Sequence, residues 1–390
     1  MFFVDKPYVS DFFKKTVRDN KIPIVGTEAA RQLEFYDNTT MISEASAIEM
    51  VRGRENPPIY TTSENAIGWI AKHLPFSDLP EKIELFKDKL KFRHLTKSNF
   101  PDFYFQGVSI NELENIQFDQ WPLPFIIKPT IGFMSMGVYK VTNYEEWTDT
   151  LASITAEIEQ IKNLYPDSVL NTNSFIIEQC INGEEFAVDV YYNSAGEAVV
   201  LSILKHVFAS DADVSDRVYV SSKEIIEKNL VEFTDFADKI GRLAAVKNFP
   251  VHIELRRNSD GTLLPIEVNP MRFGGWCTTA DISFLAYGFN PYLYYYTQKK
   301  PDWPQLLQGK EGKLFSVVVL DNSTGIEIGK IRSFDYDKLL TKFKKPLELR
   351  KIDFQQYPVF GFLFTETTED NFVELQNILN SDLREFVTSA

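Results

Sequence analysis

Cysteine is nearly absent: Cys180 and Cys277 are the only two in 390 residues, and they form no CxxC unit. A disulfide framework is excluded on that count, and a reducing cytoplasm is the expected setting. Long hydrophobic runs are missing too. Those around Ala198–Leu204 and Leu314–Leu320 are strand-sized, well short of the roughly 20 residues that span a bilayer. The opening MFFVDKPYVSDFF carries acids where a secretory signal needs a basic start. Positive charge is in deficit, with 41 Lys and Arg against 55 Asp and Glu and a net charge of −14. Nucleic acid and anionic membranes are thereby disfavoured as general partners, although a local basic pocket is compatible with that balance. No 20–50-residue period repeats, and no stretch is low in complexity.

What is present suits a soluble globular chain with a sizeable core: 44% hydrophobic and 25% charged residues. At roughly 150 residues per domain the length predicts two to three domains. The abundant aromatics, 32 Phe among them, read as core. So does the run PYLYYY (Pro291–Tyr296), because aromatics at helical spacing usually face inward.

The opening predicts strand (Phe2–Asp5), helix (Ser10–Asp19) and strand (Ile22–Val25), the start of an α/β layer. Ala66–His73 is helical in pattern, and Pro75 and Pro80 suggest a boundary near residue 85. Further on, the pattern predicts a helix at Lys87–Lys97, strands at Phe125–Lys128 and Val138–Val141, and a helix at Tyr144–Tyr165. Strands at Phe175–Glu178, Glu185–Tyr192 and Ala198–Val207 follow, then a polar loop and a helix at Val231–Val246. Ile282–Tyr296 reads as one helix and Lys299–Pro304 as a linker. The last part alternates strand and helix like a separate small α+β unit.

VHIELRRNSDGTLLPIEVN reads as a hairpin, with Asp260–Gly261 as its turn signal. By alternation Val251, Ile253, Leu255, Leu264, Ile266 and Val268 share one face. His252, Glu254, Arg256, Glu267 and Asn269 share the other. A two-residue turn sets Glu254 opposite Glu267 and His252 opposite Asn269. Facing carboxylates repel. Arg256 and solvent could relieve them, or a hard divalent cation could, since Mg²⁺ takes oxygen ligands.

Four segments together resemble the ATP-grasp superfamily: KDKLKFRHL, PFIIKPTIGFMSMGVYKV, FIIEQCINGEEFAVDV and the hairpin. They stand in the family's order and cover about residues 85–290. The resemblance implies an ATP-grasp core of mixed α/β (α+β) class, between an N-terminal Rossmann-like layer and a C-terminal α+β unit. The corresponding boundaries are 1–86, 87–300 (small subdomain about 87–172, large subdomain about 173–300) and 301–390.

It further implies Lys89 and Lys128 as phosphate lysines, and a flap at Gly132–Gly137 (with Ser135) over the phosphates. Glu178, Gln179, Cys180 and Ile181 would form the adenine hinge, and Glu185 the ribose acid. Glu254, Glu267 and Asn269 would be the metal triad, its acids thirteen positions apart. Many members carry Arg two residues after the metal Asn. Here Met271 stands there and Arg272 follows, so Arg272 and Arg217 are the candidate catalytic cations.

The implied activity is an ADP-forming carboxylate–amine ligase working through an acyl phosphate, with ATP and Mg²⁺ (or Mn²⁺) as cofactors. Its partners would be a small carboxylate, such as an amino acid or peptide, and an amine. A homodimer is possible, as among the relatives. Alternatives are a biotin-carboxylase-like or purine-pathway carboxylating enzyme, and a nucleotide-binding or kinase-type protein. Trp276 and Thr278–Asp281 are candidate pocket residues, with the loop Ser210–Val220 for substrate choice. His206 and His252 are expected as structural partners. Cys180 would serve through its backbone and Cys277 through packing.

Overall fold

The computed structural model describes residues 1–54, 56–116, 118–132, 137–161, 173–210, 213 and 215–389. Four short parallel strands open the chain: β1 (Phe2–Phe3), β2 (Ile24–Val25), β3 (Met41–Ile42) and β4 (Tyr60–Thr61), in the order β3-β2-β1-β4. Helices α1 (Asp11–Asp19), α2 (Glu28–Gln32) and α3 (Glu44–Arg52) connect them. Each begins at a hydroxyl residue, Ser10, Thr27 or Ser43, whose side chain accepts a first-turn N–H. Such caps fix where helices start. Only the first strand, helix and second strand of this layer stood out in the sequence, because two-residue strands carry too little alternation to be seen.

Helix α4 (Ile67–His73) is followed by α5 (Leu79–Lys87) and α6 (Lys89–Thr96). Helix α5 therefore runs through the boundary expected near residue 85. Asp88 separates it from α6, accepting from the N–H groups of Leu90 and Lys91. A four-stranded antiparallel sheet comes next: β5 (Phe105–Ser109), β6 (Phe125–Pro129), β7 (Tyr139–Val141) and β8 (Ser174–Gln179), in the order β5-β8-β6-β7. Helix α7 (Tyr144–Ile161) covers it through Trp147 and Ile154; the expected extension to Tyr165 lies outside the described residues. Strand β8 belongs to this small sheet, so the chain leaves it at Gln179 rather than near residue 172.

The large sheet has eight strands: β9 (Glu184–Tyr192), β10 (Ala198–Val207), β11 (Val218–Ser222), β12 (Phe249–Arg257), β13 (Leu263–Pro270) and three from the C-terminal unit. Those three are β14 (Lys313–Asp321), β16 (Pro346–Lys351) and β17 (Val359–Thr368), with β15 (Ile331–Phe334) forming a separate pair with the last strand, Val387–Ser389. The order β13-β12-β9-β10-β11-β14-β17-β16 makes the C-terminal unit a continuation of the central sheet, not a free-standing piece. Helix α8 (Lys223–Ala244) packs Phe233, Phe236 and Ile240 beneath it.

The helix expected over Ile282–Tyr296 is two, α9 (Thr278–Tyr287) and α10 (Pro291–Thr297). They break at Gly288, which sits at φ +77°, with Pro291 opening the second at a position where its missing N–H costs nothing. The PYLYYY aromatics are core as read: Tyr292 and Tyr295 are fully buried. No described helix is long and apolar enough to cross a membrane.

Candidate functional site

The carboxylate face of the hairpin forms with Glu254 opposite Glu267 and His252 opposite Asn269. The register then slips by one between Glu254 and Leu255, which pairs with Pro265. Two residues on one strand facing one on its partner is a bulge, tolerated because β13 is an edge strand and Pro265 has no N–H to give. The slip corrects the expected alternation. Leu263 joins the main core, while Leu264 and Ile266 turn to the other side, against Phe103 and Ile181.

Glu254 and Glu267 keep 32% and 25% of their side chains open to the cleft. Burial and then the Glu267 charge push the Glu254 carboxyl well above the usual carboxylate range, with Glu185 and Asp216 adding to the push. Burial also opposes ionisation of Glu267, but Lys89, Lys128 and the Asn269 amide hold it down at about 2. Glu267 is thus compensated and Glu254 is not. With the Asn269 amide, which donates 3.0 Å to Glu267 Oε1, they make an all-oxygen donor set short of positive charge. That is the chemistry a hard divalent cation fits. No group of three or more His, Cys, Asp or Glu among the described residues is arranged for a metal, so the donor set is two carboxylates and an amide.

The lysines come from the small subdomain. Lys89, the first residue of α6, reaches Glu267 Oε2 at 3.2 Å and donates to the Gly132 carbonyl at 3.2 Å. Its backbone N–H donates to Thr130 O, tying α6 to the segment after β6. Lys128, on β6 and 5% exposed, pairs with Glu178 Oε1 at 2.5 Å. Arg93 Nε meets the other Glu178 oxygen at 2.7 Å. Against the opposing effect of burial, these two cations hold Glu178 at about 2. Arg93 escaped the sequence reading, although it lies one helical turn after Lys89 in KDKLKFRHL. Gly137 stands at φ +68° against Pro129, and Ser135 lies outside the described residues.

Cys180–Gly183 joins the small sheet to β9. Gln179 is tied to Tyr104 in both directions: its N–H donates to Tyr104 O, and its side-chain oxygen accepts from Tyr104 N. Cys180 N–H donates to Pro124 O, and the Ile181 carbonyl accepts from Arg256 Nη1. Gly183 has φ +111°, and a Cβ there would lie 2.0 Å from the Arg257 carbonyl, so only glycine lets the hinge cross β12 so closely. Beyond it, Glu185 accepts from Arg256 Nε at 2.8 Å and lies 2.9 Å from His206 Nδ1. His206 Nε2 meets Ser215 O at 2.9 Å. The ring stacks on Tyr219 with centroids 4.2 Å apart.

Arg272 and Arg217 part company. Arg272 Nη2 donates 2.6 Å to Glu64, an acid of the N-terminal layer whose second oxygen is 3.8 Å from Lys87. Arg217, by contrast, is not at the site. It is buried with Nε on Asp321 at 2.6 Å, Nη2 on Ser323 and Nη1 on the Ile378 and Ser381 carbonyls. Its guanidinium is spent on docking the C-terminal unit. Thr278–Asp281 are likewise engaged internally. The Thr278 and Thr279 hydroxyls bond the Gly275 carbonyl and the Gly274 N–H, and Asp281 binds Arg350 and Tyr292. Trp276 packs among Tyr8, Tyr357 and Phe362. His252 Nδ1 holds Asp189 at 2.8 Å.

Lys89 of the small sheet-and-helix unit therefore meets Glu267 of the larger sheet, while Lys128 pairs with Glu178 within the small sheet, just before the glycine hinge. Residues 121–280 match the family model described as an ATP-grasp domain. The chain contains an ATP-grasp domain. Solved structures share its fold over the whole length. One is an L-amino acid ligase from Bacillus licheniformis, 17% identical, with a TM-score of 0.69 over 100% of this chain and 98% of that one. A biotin carboxylase–β,γ-ATP complex from Campylobacter jejuni is 11% identical, with a TM-score of 0.64 over 100% and 92%. An N5-carboxyaminoimidazole ribonucleotide synthetase from Thermotoga maritima is 14% identical, with a TM-score of 0.60 over 100% and 99%. At such identities the likeness is one of fold. No curated protein matches the chain in sequence.

Proposed function

We propose that this ATP-grasp protein is an ADP-forming carboxylate–amine ligase, acting through an acyl phosphate on a small carboxylate such as an amino acid or peptide. One observation carries the reading: Lys89 of the small unit is paired with Glu267 of the large sheet, and Lys128, paired with Glu178 within the small sheet, also acts on Glu267 through its charge. Phosphoryl transfer asks a protein chiefly for positioning and charge neutralisation.

ATP would lie in that cleft, its adenine on the Glu178–Ile181 hinge and its ribose at Glu185. Lys128 and Lys89 would exchange their carboxylate partners for phosphate oxygens. Glu254, Glu267 and Asn269 would hold Mg²⁺, which supplies charge neutralisation on the transferring phosphoryl group. The substrate carboxylate oxygen attacks the γ-phosphorus while the bond to ADP breaks. The amine then attacks the acyl carbon, phosphate leaves, and the amine gives up one proton. Arg272 would stabilise charge on the acyl phosphate. Gly132–Gly137 would close over the phosphates and exclude water, which otherwise hydrolyses the intermediate. A reducing cytoplasm suits the two thiols.

Release of ADP and phosphate from MgATP, assayed with amino acids singly and in pairs and with mass spectrometry of products, tests the reading. A condensed product with one ADP per bond is expected. Silence across the panel with ATP still bound removes the amino-acid assignment. Glu267→Gln is expected to lower turnover by at least 10³-fold in a folded protein, and full activity there would remove the metal triad. Lys128→Ala is expected to weaken ATP binding about tenfold or more, and unchanged affinity by calorimetry would count against its phosphate role. A second reading, carboxylation from bicarbonate, is kept because biotin carboxylase shares the fold; bicarbonate-dependent ADP release would select it.

A further inference from the structure

Lys87 is the last residue of α5, separated from Lys89 by the Asp88 cap. Its side chain is only 9% exposed, and its one ion pair among the described residues, with Glu64 Oε2, is 3.8 Å long, beyond hydrogen-bond reach. Burial lowers the ammonium's pKa, against the pull of Glu64 and Glu84. Glu64 itself is committed to Arg272 Nη2 at 2.6 Å. Two buried cations thus share one carboxylate at close range, with Glu84, Glu254 and Glu267 acting on them only from beyond ion-pair distance. A buried charge without close hydrogen-bond acceptors is costly, and here the polypeptide leaves an oxygen-shaped want beside Arg272. The place adjoins the reacting end of the cleft: the charge of Glu267 reaches both Glu64 and Arg272, and that of Lys89 reaches Lys87.

We propose that Lys87, together with Arg272, binds an oxyanion of the substrate being activated. That oxyanion is a carboxylate oxygen before transfer and an acyl-phosphate oxygen after it. The inference rests on the ligase reading and adds a residue to it. The reacting carboxylate oxygen forms its bond to the γ-phosphorus as the bond to ADP breaks, and ADP leaves with that electron pair. Lys87 stays an ammonium throughout and transfers no proton. Its contribution is a fixed charge that the substrate completes, with Glu64 offsetting the repulsion between the two cations until then.

Inorganic phosphate is the oxyanion probe, titrated calorimetrically into the full chain with and without MgADP. Lys87→Met is expected to weaken phosphate tenfold or more while leaving MgADP affinity within about twofold, which also reports that the variant is folded. Lys87→Arg is expected to recover most of the loss. Glu64→Gln is expected to act in the opposite direction and tighten phosphate, since it frees both cations. Equal phosphate affinity in wild type and Lys87→Met overturns the proposal. So does a Glu64→Gln variant that weakens phosphate as Lys87→Met does, because Lys87 would then serve only Glu64. Phosphate that discriminates among these variants in a protein that never binds MgADP would support the oxyanion subsite and overturn the nucleotide reading instead.

Discussion

At the scale of the residue, the cleft is a set of charges that hold one another in reserve. Glu178 illustrates the consequence for pH. Held at about 2 by Arg93 and Lys128, against an ordinary 4.5, it contributes stability that is whole above pH 4.5. That contribution is lost as the pH falls from 4.5 towards 2, because the unfolded chain takes up the proton first. Urea unfolding of the nucleotide-free protein between pH 6 and pH 3 should lose a few kcal/mol through this group. Glu178→Gln, which leaves two buried cations poorly compensated, should cost about 3–5 kcal/mol at pH 7 and flatten the acid slope; an unaltered slope would mean that another acid dominates it. Several of these residues were legible because they sit in short motifs, as Lys128 does before Pro129. Glu64 and Arg217 were not. The first reaches the site from a different layer, and the second is drawn away by acceptors at Asp321, Ser323, Ile378 and Ser381. Nothing local in DADVSDRVY announces partners more than 100 positions downstream.

At the scale of the element, the hairpin and the hinge do the positioning. The period-two pattern of Val251–Asn269 could be read because one face is buried and the other open, so each side-chain type reports its side. The bulge could not be read that way, since one extra residue leaves no mark on composition; Pro265 was its only trace. Strands β5 (FQGVS) and β11 (VYVSS) escaped notice because glycine and serine break their apolar pattern, whereas β6 (FIIKP), equally short, has a continuous apolar start. Gly183 carries the sharpest expectation. Its φ of +111° and the 2.0 Å approach to Arg257 O forbid a side chain. Gly183→Ala should therefore destabilise the fold by more than about 1 kcal/mol and weaken ADP binding by displacing Glu185. A thermal melt and an ADP titration on that variant check both, and wild-type values in each would show that the crossing relaxes at no cost.

At the scale of the whole molecule, the mixed α/β class and the order of layers were visible in the sequence, while the continuity of the sheet across residue 300 was not. Strand partners 100 residues apart leave no periodic signal. The join is locked by Arg350, 2.6 Å from Asp281 with both side chains 2% exposed. Burial raises the Asp281 carboxyl to about 6 despite Arg350. A raised value means the fold retains its proton longer than the unfolded chain, so this group costs stability as pH climbs from 3.8 to 6. Arg350→Ala should destabilise the protein by about 3–5 kcal/mol at pH 7, by leaving an acid buried alone. Less loss at pH 5 than at pH 7 is the signature to look for in paired denaturation curves.

The eight-strand order also has a consequence for how the chain is made. Strand β11 is bordered by β10 on one side and by β14 on the other, and β14 begins only at Lys313. During synthesis the ribosome therefore delivers every proposed nucleotide and metal ligand before it delivers β14, the neighbour that covers the edge of β11. For that interval the nascent protein exposes a bare β-edge, which pairs as readily with a neighbouring chain as with its own. Messages that pause translation between residues 270 and 313 would prolong that exposure.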